Sequence, residues 1–253
     1  MDERLLVINA DDLGYSRHVN DRIFELMDRG RITSATLMAN GPAFEEAAEG
    51  LRAYPQCSFG VHLNCTEFRP LTDHRGLRVL LDAKGHLSKR PSRMPPTTNL
   101  LRAIYGEWSA QIERVRSAGV AISHLDSHQH VHTIPQLFPV LKAIQARYGL
   151  RVVRKSLNVY ESDRGASRSQ RLAKCAWNGA LRSLLPTRTT DLFLTLRALR
   201  EATLDSLNFR TAEVMTHPGA PDDIDTPVLL ADWQSRLPWP TRLVSYNEFQ
   251  RAA

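Results

Sequence analysis

Nine consecutive residues, His124-Leu125-Asp126-Ser127-His128-Gln129-His130-Val131-His132, hold four of the chain's nine histidines and follow the apolar run Gly119-Val120-Ala121-Ile122. Imidazole is the commonest neutral metal ligand and titrates near physiological pH, so this cluster points to metal or acid/base chemistry at the end of a strand. One ion cannot take all four. An extended chain rises roughly 3.3 Å per residue and spreads positions 124 to 132 over about 26 Å. One or two ligands come from this segment and the rest from elsewhere.

Three further motifs supply partners. Asn9-Ala10-Asp11-Asp12-Leu13-Gly14 sets two carboxylates side by side, and like charges a few Å apart raise one pKa sharply unless a cation or a shared proton intervenes. Gly60-Val61-His62-Leu63-Asn64 puts a histidine in an apolar strand, and Glu213-Val214-Met215-Thr216-His217-Pro218-Gly219 ends a strand in another. Taken singly, the aspartates read as a helix cap, His62 as a core histidine and His217 as a turn residue. Taken together, one carboxylate and two imidazoles on one face make a metal triad with open positions for water and substrate. His217, kept extended by the proline after it and followed by a turn at Gly219, is suited to protonate a leaving group.

The elements that must carry these motifs alternate between short apolar runs and helical stretches, the pattern of a mainly parallel sheet or barrel. Strands are expected at Leu5 to Asn9, Ser34 to Ala39, Ser58 to Asn64, Val120 to His124, Arg151 to Leu157, Thr211 to Thr216 and Leu243 to Tyr246. Helices are expected at His18 to Arg29 (capped by Gly30), 43 to 53, Asn99 to Ala118, Pro135 to Tyr148, and over the amphipathic stretch 167 to 185. Between Glu67 and Thr98 six prolines and glycines break regular structure, and a stretch that long reads as a functional loop or lid. In parallel α/β architectures the active site forms where strands end, so the four motifs should converge.

In order and wording, these four motifs resemble the YdjC/ChbG-like carbohydrate deacetylases over about residues 4 to 219. That resemblance implies a single-domain α/β fold, a distorted (β/α) barrel of the polysaccharide-deacetylase-like type. It also implies hydrolysis of an N-acetyl group on an amino sugar with one divalent ion, Mg²⁺ or Zn²⁺. Carried over by motif position, Asp12, His62 and His128 are the metal ligands and Asp11 is the base, with His217 as the acid. Asp126 or Glu213 would orient a catalytic imidazole. His124, His130 and His132 stay open between binding sugar hydroxyls and packing, and Asn64 and Arg154 stand with them as substrate-binding or supporting residues. The family's hopanoid-associated members extend the substrate class to a glycolipid.

Composition bounds the alternatives. The chain has 253 residues and 42% hydrophobic content with no long apolar run, which fits one large soluble domain. Its acidic N-terminus lacks the features of a secretory signal, so a cytoplasmic location is expected. Cys57, Cys65 and Cys175 are not closely spaced and read as reduced thiols. The net charge of +6 is concentrated, because residues 147–200 hold twelve Lys or Arg against three Asp or Glu. That segment, variable over 160–200, raises a competing class: a basic protein docking on an anionic membrane, a lipid-linked substrate or nucleic acid. Nucleic acid is not expected, since the arginine-rich composition extends over the whole chain. A homodimer is left open. A metal-dependent phosphoesterase or amidohydrolase would also use a His-X-His pair such as His128 and His130, but there the pair ends the first strand, where this chain has Asp11-Asp12.

Overall fold

The computed structural model describes residues 3–160, 166–201 and 208–252. Seven strands form one sheet: β1 (Arg4–Leu13), β2 (Ser34–Leu37), β3 (Ser58–Leu63), β4 (Ile122–Ser127), β5 (Leu192–Thr195), β6 (Thr211–Thr216) and β7 (Thr241–Leu243). Their order is β4-β3-β2-β1-β6-β5, every pairing is parallel, and β7 pairs the start of β1. Beyond β4 the ladder continues as single bridges, Leu125 to Val153 and Val152 to Arg188, and Asn158 N donates to Phe193 O in β5 at 3.3 Å. The sheet therefore curls into a barrel whose β4–β5 gap is spanned by residues 151–158. The helices are α1 (Arg17–Asp28), α2 (Phe44–Gly50), α3 (Thr98–Ser117), α4 (Phe138–Tyr148), α5 (Arg168–Ser183), α6 (Leu196–Glu201), α7 (Asp225–Leu230) and α8 (Tyr246–Ala252). Among the described residues no helix is long and apolar enough to cross a membrane.

The two-residue period of a strand explains what fills this barrel. Leu6, Ile8, Val61, Leu125, Val153 and Val214 point one way, into the large core shared with the helices. Their neighbours Leu5, Val7 and Val152 point the other way and join Val244, Tyr246 and Phe249 in a second, smaller cluster. Further along the same inward faces the residues turn polar: Asp11, Thr36, His62, Asp126, Arg154 and Glu213, all buried. An apolar plug thus fills the end where the strands begin, and a polar layer lies over it where they finish.

Several boundaries depart from the sequence reading. β4 begins at Ile122 and runs to Ser127, which draws Leu125 and Asp126 into the strand and sets His128 just past its end. Arg151 to Leu157 makes single bridges rather than a named strand, β5 and α6 were not expected, and Tyr246 starts a helix rather than ending a strand. In the stretch expected to be amphipathic only Trp177 and Leu181 of α5 are buried, while Ala173 and Leu184 are exposed.

Candidate metal and catalytic centre

Asp12, next to last in β1, has a left-handed backbone conformation, φ 65°, which an aspartate adopts only at some cost. That turn brings its carboxylate across the barrel mouth. Asp12 Oδ1 lies 3.2 Å from His62 Nε2 and 2.9 Å from His128 Nδ1, and one donor atom from each of the three residues falls within 4.8 Å of the others. Each imidazole is backed by a carboxylate of its own. His62 Nδ1 meets Asp126 Oδ1 at 2.7 Å, and His128 Nε2 meets Glu67 Oε2 at 2.8 Å. The outer carboxylates are held in turn: Asp126 accepts from the Thr36 hydroxyl at 3.0 Å and forms an ion pair with Arg154 at 2.9 Å, and Glu67 accepts from the Tyr15 hydroxyl at 2.6 Å. Such outer partners fix the ring orientation of metal-ligating histidines and raise their basicity.

The charges respond to this crowding. Burial alone would raise Asp12, but hydrogen bonds from His128 and His62 hold its carboxyl well below the usual range. Burial would lower both imidazoles, yet Asp126 and Asp12 push His62 well above its ordinary value, and Asp12 and Glu67 push His128 up. Two rings that hold protons this firmly around one carboxylate present lone pairs for which a divalent cation would compete.

Beside the triad, Arg154 is fully buried and clamped by three carboxylates. It donates to Asp11 through Nη1 at 2.7 Å and Nη2 at 2.6 Å and to Glu213 through Nε at 2.7 Å, and it forms an ion pair with Asp126 at 2.9 Å. Burial would raise Asp11, but this guanidinium outweighs it and holds the carboxyl well below its usual range. Glu213 also accepts from the Tyr246 hydroxyl at 2.5 Å, and there burial prevails and raises the carboxyl. His217 stands at the mouth, its side chain 41% exposed, with Nε2 3.8 Å from Asp11 Oδ2. That is beyond hydrogen-bond reach. Its backbone N–H donates to Asp225 Oδ2 at 2.8 Å. Asp11, Asp12, Tyr15, Glu67, His128 and His217 all line one cavity of 630 Å³. A slightly larger cavity of 690 Å³ between α6 and α7 has no histidine in its lining, so chemistry rather than volume picks the site.

Of the residues left open by sequence, several have no access to a sugar. His124 is wholly buried: its ring stacks on Tyr246 with centroids 3.9 Å apart and covers Gly60, where a Cβ would come within 2.6 Å of it. His132 is also wholly buried, with Nδ1 on the Ser127 hydroxyl and Nε2 donating to Arg154 O at 3.0 Å. Asn64 is buried and anchors the loop after β3, donating to Asn40 Oδ1 and to Glu67 O. These three, with Arg154, are buried away from the cavity, which favours the packing or supporting side of the two roles that the sequence left open. His130 keeps partial exposure, edge-on to Phe193 with centroids 5.8 Å apart. Glu67 and Tyr246 carry no sequence assignment; the one signal for Glu67 was its place three residues beyond Asn64.

A family model described as YdjC-like protein matches residues 5–243. A carbohydrate deacetylase of Geobacillus stearothermophilus is 40% identical over 147 residues, 58% of this chain and 58% of that protein. A chitooligosaccharide deacetylase of Citrobacter koseri is 34% identical over 227 residues, 88% of this chain and 84% of the other. The chain thus spans less than two thirds of the Geobacillus relative and most of the Citrobacter one. Among solved structures, a candidate cellobiose-phosphate cleavage protein of Enterococcus faecalis V583 superposes with a TM-score of 0.73 at 24% identity, covering 98% of this chain and 99% of that one. A family 4 acetyl xylan esterase of Clostridium thermocellum, solved with a cobalt ion, reaches 0.51 at 10% identity, covering 98% and 91%. Both share the fold.

Proposed function

The chain belongs to the YdjC-like family, and on that footing we propose that it hydrolyses the N-acetyl group of an amino sugar. The substrate class follows the relatives named carbohydrate and chitooligosaccharide deacetylase. The observation that carries the reading is the Asp12 oxygen shared by two imidazoles, each with its own outer carboxylate. Asp12, His62 and His128 would hold one divalent cation, Mg²⁺ or Zn²⁺, and two imidazoles among three donors suit Zn²⁺ better. When bound, such a cation supplies Lewis acidity to the acetyl carbonyl oxygen and lowers the pKa of water.

The chain's own groups do the rest. Asp11 accepts the proton of the attacking water, and its clamp by Arg154 and by Asn9 Nδ2 at 3.0 Å fixes the direction from which it does so. The same clamp makes Asp11 a weak resting base, so it holds the proton only briefly. His217 delivers a proton to the departing nitrogen as the C–N bond breaks, leaving acetate and a free amine; assistance of this kind is worth about 10² to 10⁴ in rate. The polar floor of Asp126, Arg154 and Glu213 orients Asp11 without touching substrate, and the Asp225 carboxylate holds the backbone of His217.

The test is acetate release across N-acetylated sugars and chito-oligomers, with Zn²⁺ and Mg²⁺ varied. Metal content should be about one ion per chain, as three protein ligands with an open position imply, and lost in Asp12→Ala and His62→Ala. Asp11→Asn should fold and release no acetate. Unchanged metal content in the first pair would remove the triad, and full activity in Asp11→Asn would remove the base.

A further inference from the structure

On the outer side of the barrel wall, one residue from Arg154, lies a cavity that the deacetylase reading does not use. Strand alternation turns Lys155 away from the barrel interior that Arg154 occupies. There it enters a cavity of 430 Å³ between residues 155–160 and α5, lined also by Arg171, Lys174 and Arg182, with Tyr160 and Asn158. Among the described residues no Asp or Glu lines it.

The four cations are under-used. Among the described residues none forms an ion pair within 4.0 Å. Lys155 Nζ donates only to Asp191 O at 2.7 Å, Arg182 donates to Thr189 Oγ1 and Thr190 O, and Arg171 Nε donates to Ala166 O. Lys174 has no hydrogen-bond acceptor; it and Arg171 sit over the Tyr160 ring at 4.8 and 5.1 Å. Among the described residues the Asp191 carboxylate acts on Lys155 as a counter-charge, and it accepts from the N–H groups of Arg210 and Thr211 and the Thr211 hydroxyl. Burial, with Arg182 nearby, pushes Lys155 down to about 8. Like charges gathered in one concavity repel one another and leave donor capacity unfilled, a cost that a dianion removes.

We infer that this cavity binds a phosphoryl group, a phosphate monoester dianion carried either by a soluble sugar or by a lipid headgroup. Two guanidinium groups supply planar forks that match phosphate oxygens, and two ammonium groups add point charge. The volume lies in the usual range for small-ligand sites. This site is independent of the metal centre and of the deacetylase reading.

The experiment is calorimetric titration of the whole chain with inorganic phosphate against chloride at equal ionic strength. Wild type should bind phosphate in excess of chloride, and the exposed-side double variant Arg171→Gln/Lys174→Gln should bind about tenfold more weakly or not at all, with its melting temperature kept. Arg52→Gln/Arg102→Gln, which removes the same charge elsewhere, should bind as wild type does, and so should Asp12→Ala. Equal loss in the two double variants, loss in Asp12→Ala, or no phosphate binding by wild type would overturn the site. N-acetylglucosamine 6-phosphate in one arm and phosphatidylcholine vesicles carrying phosphatidic acid in the other then name the source, tighter binding in either arm supporting the phosphoryl site.

Discussion

Truncating Glu67 to alanine separates aiming from ligation. Its carboxylate touches the centre only through His128 Nε2 at 2.8 Å and Tyr15 at 2.6 Å, while its backbone carbonyl is held by Asn40 and Asn64. The side chain can therefore go without the loop moving. Loss of an outer carboxylate behind a ligating imidazole costs about 10- to 100-fold in metal affinity, or about 1.4 to 2.7 kcal/mol. Glu67 is 33% exposed, so water replaces part of the lost contact and the expected loss is near the lower end, about tenfold. Stability should fall by about 1 kcal/mol for the orphaned Tyr15 bond, a melting shift of about 2 to 4 °C in a domain of this size. Asp126 could not serve in its place. It is wholly buried against Arg154 and His62, and breaking such a pair costs about 3 to 5 kcal/mol, which would confound binding with folding. The assay is competition of Zn²⁺ against a chromophoric chelator at fixed pH, with calorimetric melting alongside. Zinc affinity unchanged within twofold, or a melting loss as large as that expected for Asp126→Ala, would refute the orienting role.

Gly60→Ala should lower the melting temperature, since its Cβ would lie 2.6 to 2.8 Å from the His124 ring, itself backed by Tyr246; overpacking of this kind costs about 1 to 3 kcal/mol. Gly106→Ala in α3, with nothing within 4 Å, should instead stabilise by about 0.5 to 1 kcal/mol, and equal melting of the two variants would contradict the packing account. A thiol reagent should label Cys175 alone in the native protein and all three cysteines after denaturation, because Cys57 and Cys65 are buried and burial pushes the Cys57 thiol up to about 11; rapid native labelling of a second thiol would count against the core placement. Acid should destabilise the β5–β6 junction. Burial would raise Asp191, but the N–H groups of Thr211 and Arg210 hold its carboxyl below the ordinary aspartate value of about 3.9, so its stabilisation is present above that pH and lost as pH falls through the lower folded value. Asp191→Asn should flatten the stability curve below that pH, and an unchanged acid limb would dismiss the contribution.

The motifs that carry the chemistry were legible because each ends a strand, and strand ends are marked by a change from apolar to polar residues. One carboxylate and two imidazoles could be read as partners since parallel strands must finish on one side, and the choice of Asp12, His62 and His128 among them came with the family resemblance. The assignment of His124 and His132 was not legible: β4 runs on to Ser127 instead of stopping at His124, which sets His124 beneath the mouth, and no local propensity marks that end. Glu67 escaped because its position depends on side-chain bonds from Asn40 and Asn64, which leave no periodic signal. Tyr246 read as the end of a strand because Leu243 to Tyr246 is apolar and short, and only the tertiary pairing of β7 with β1 shows that the strand stops at Leu243.

The Arg154 clamp also constrains the order of assembly. Its three carboxylates come from β1, β4 and β6, and Asp11 is 143 residues away from it in the chain. A partly built barrel would hold either an unpaired guanidinium or unpaired carboxylates in a dry interior, and a one-residue slip of any of the three strands would turn its carboxylate to the helix side. The cluster therefore penalises intermediates and misregistered sheets more than it rewards the finished one. Folding should be slow and all-or-none, with docking of residues 151–158 among the last events, and Asp11, the carboxylate proposed as the base, is oriented in the same step that closes the barrel.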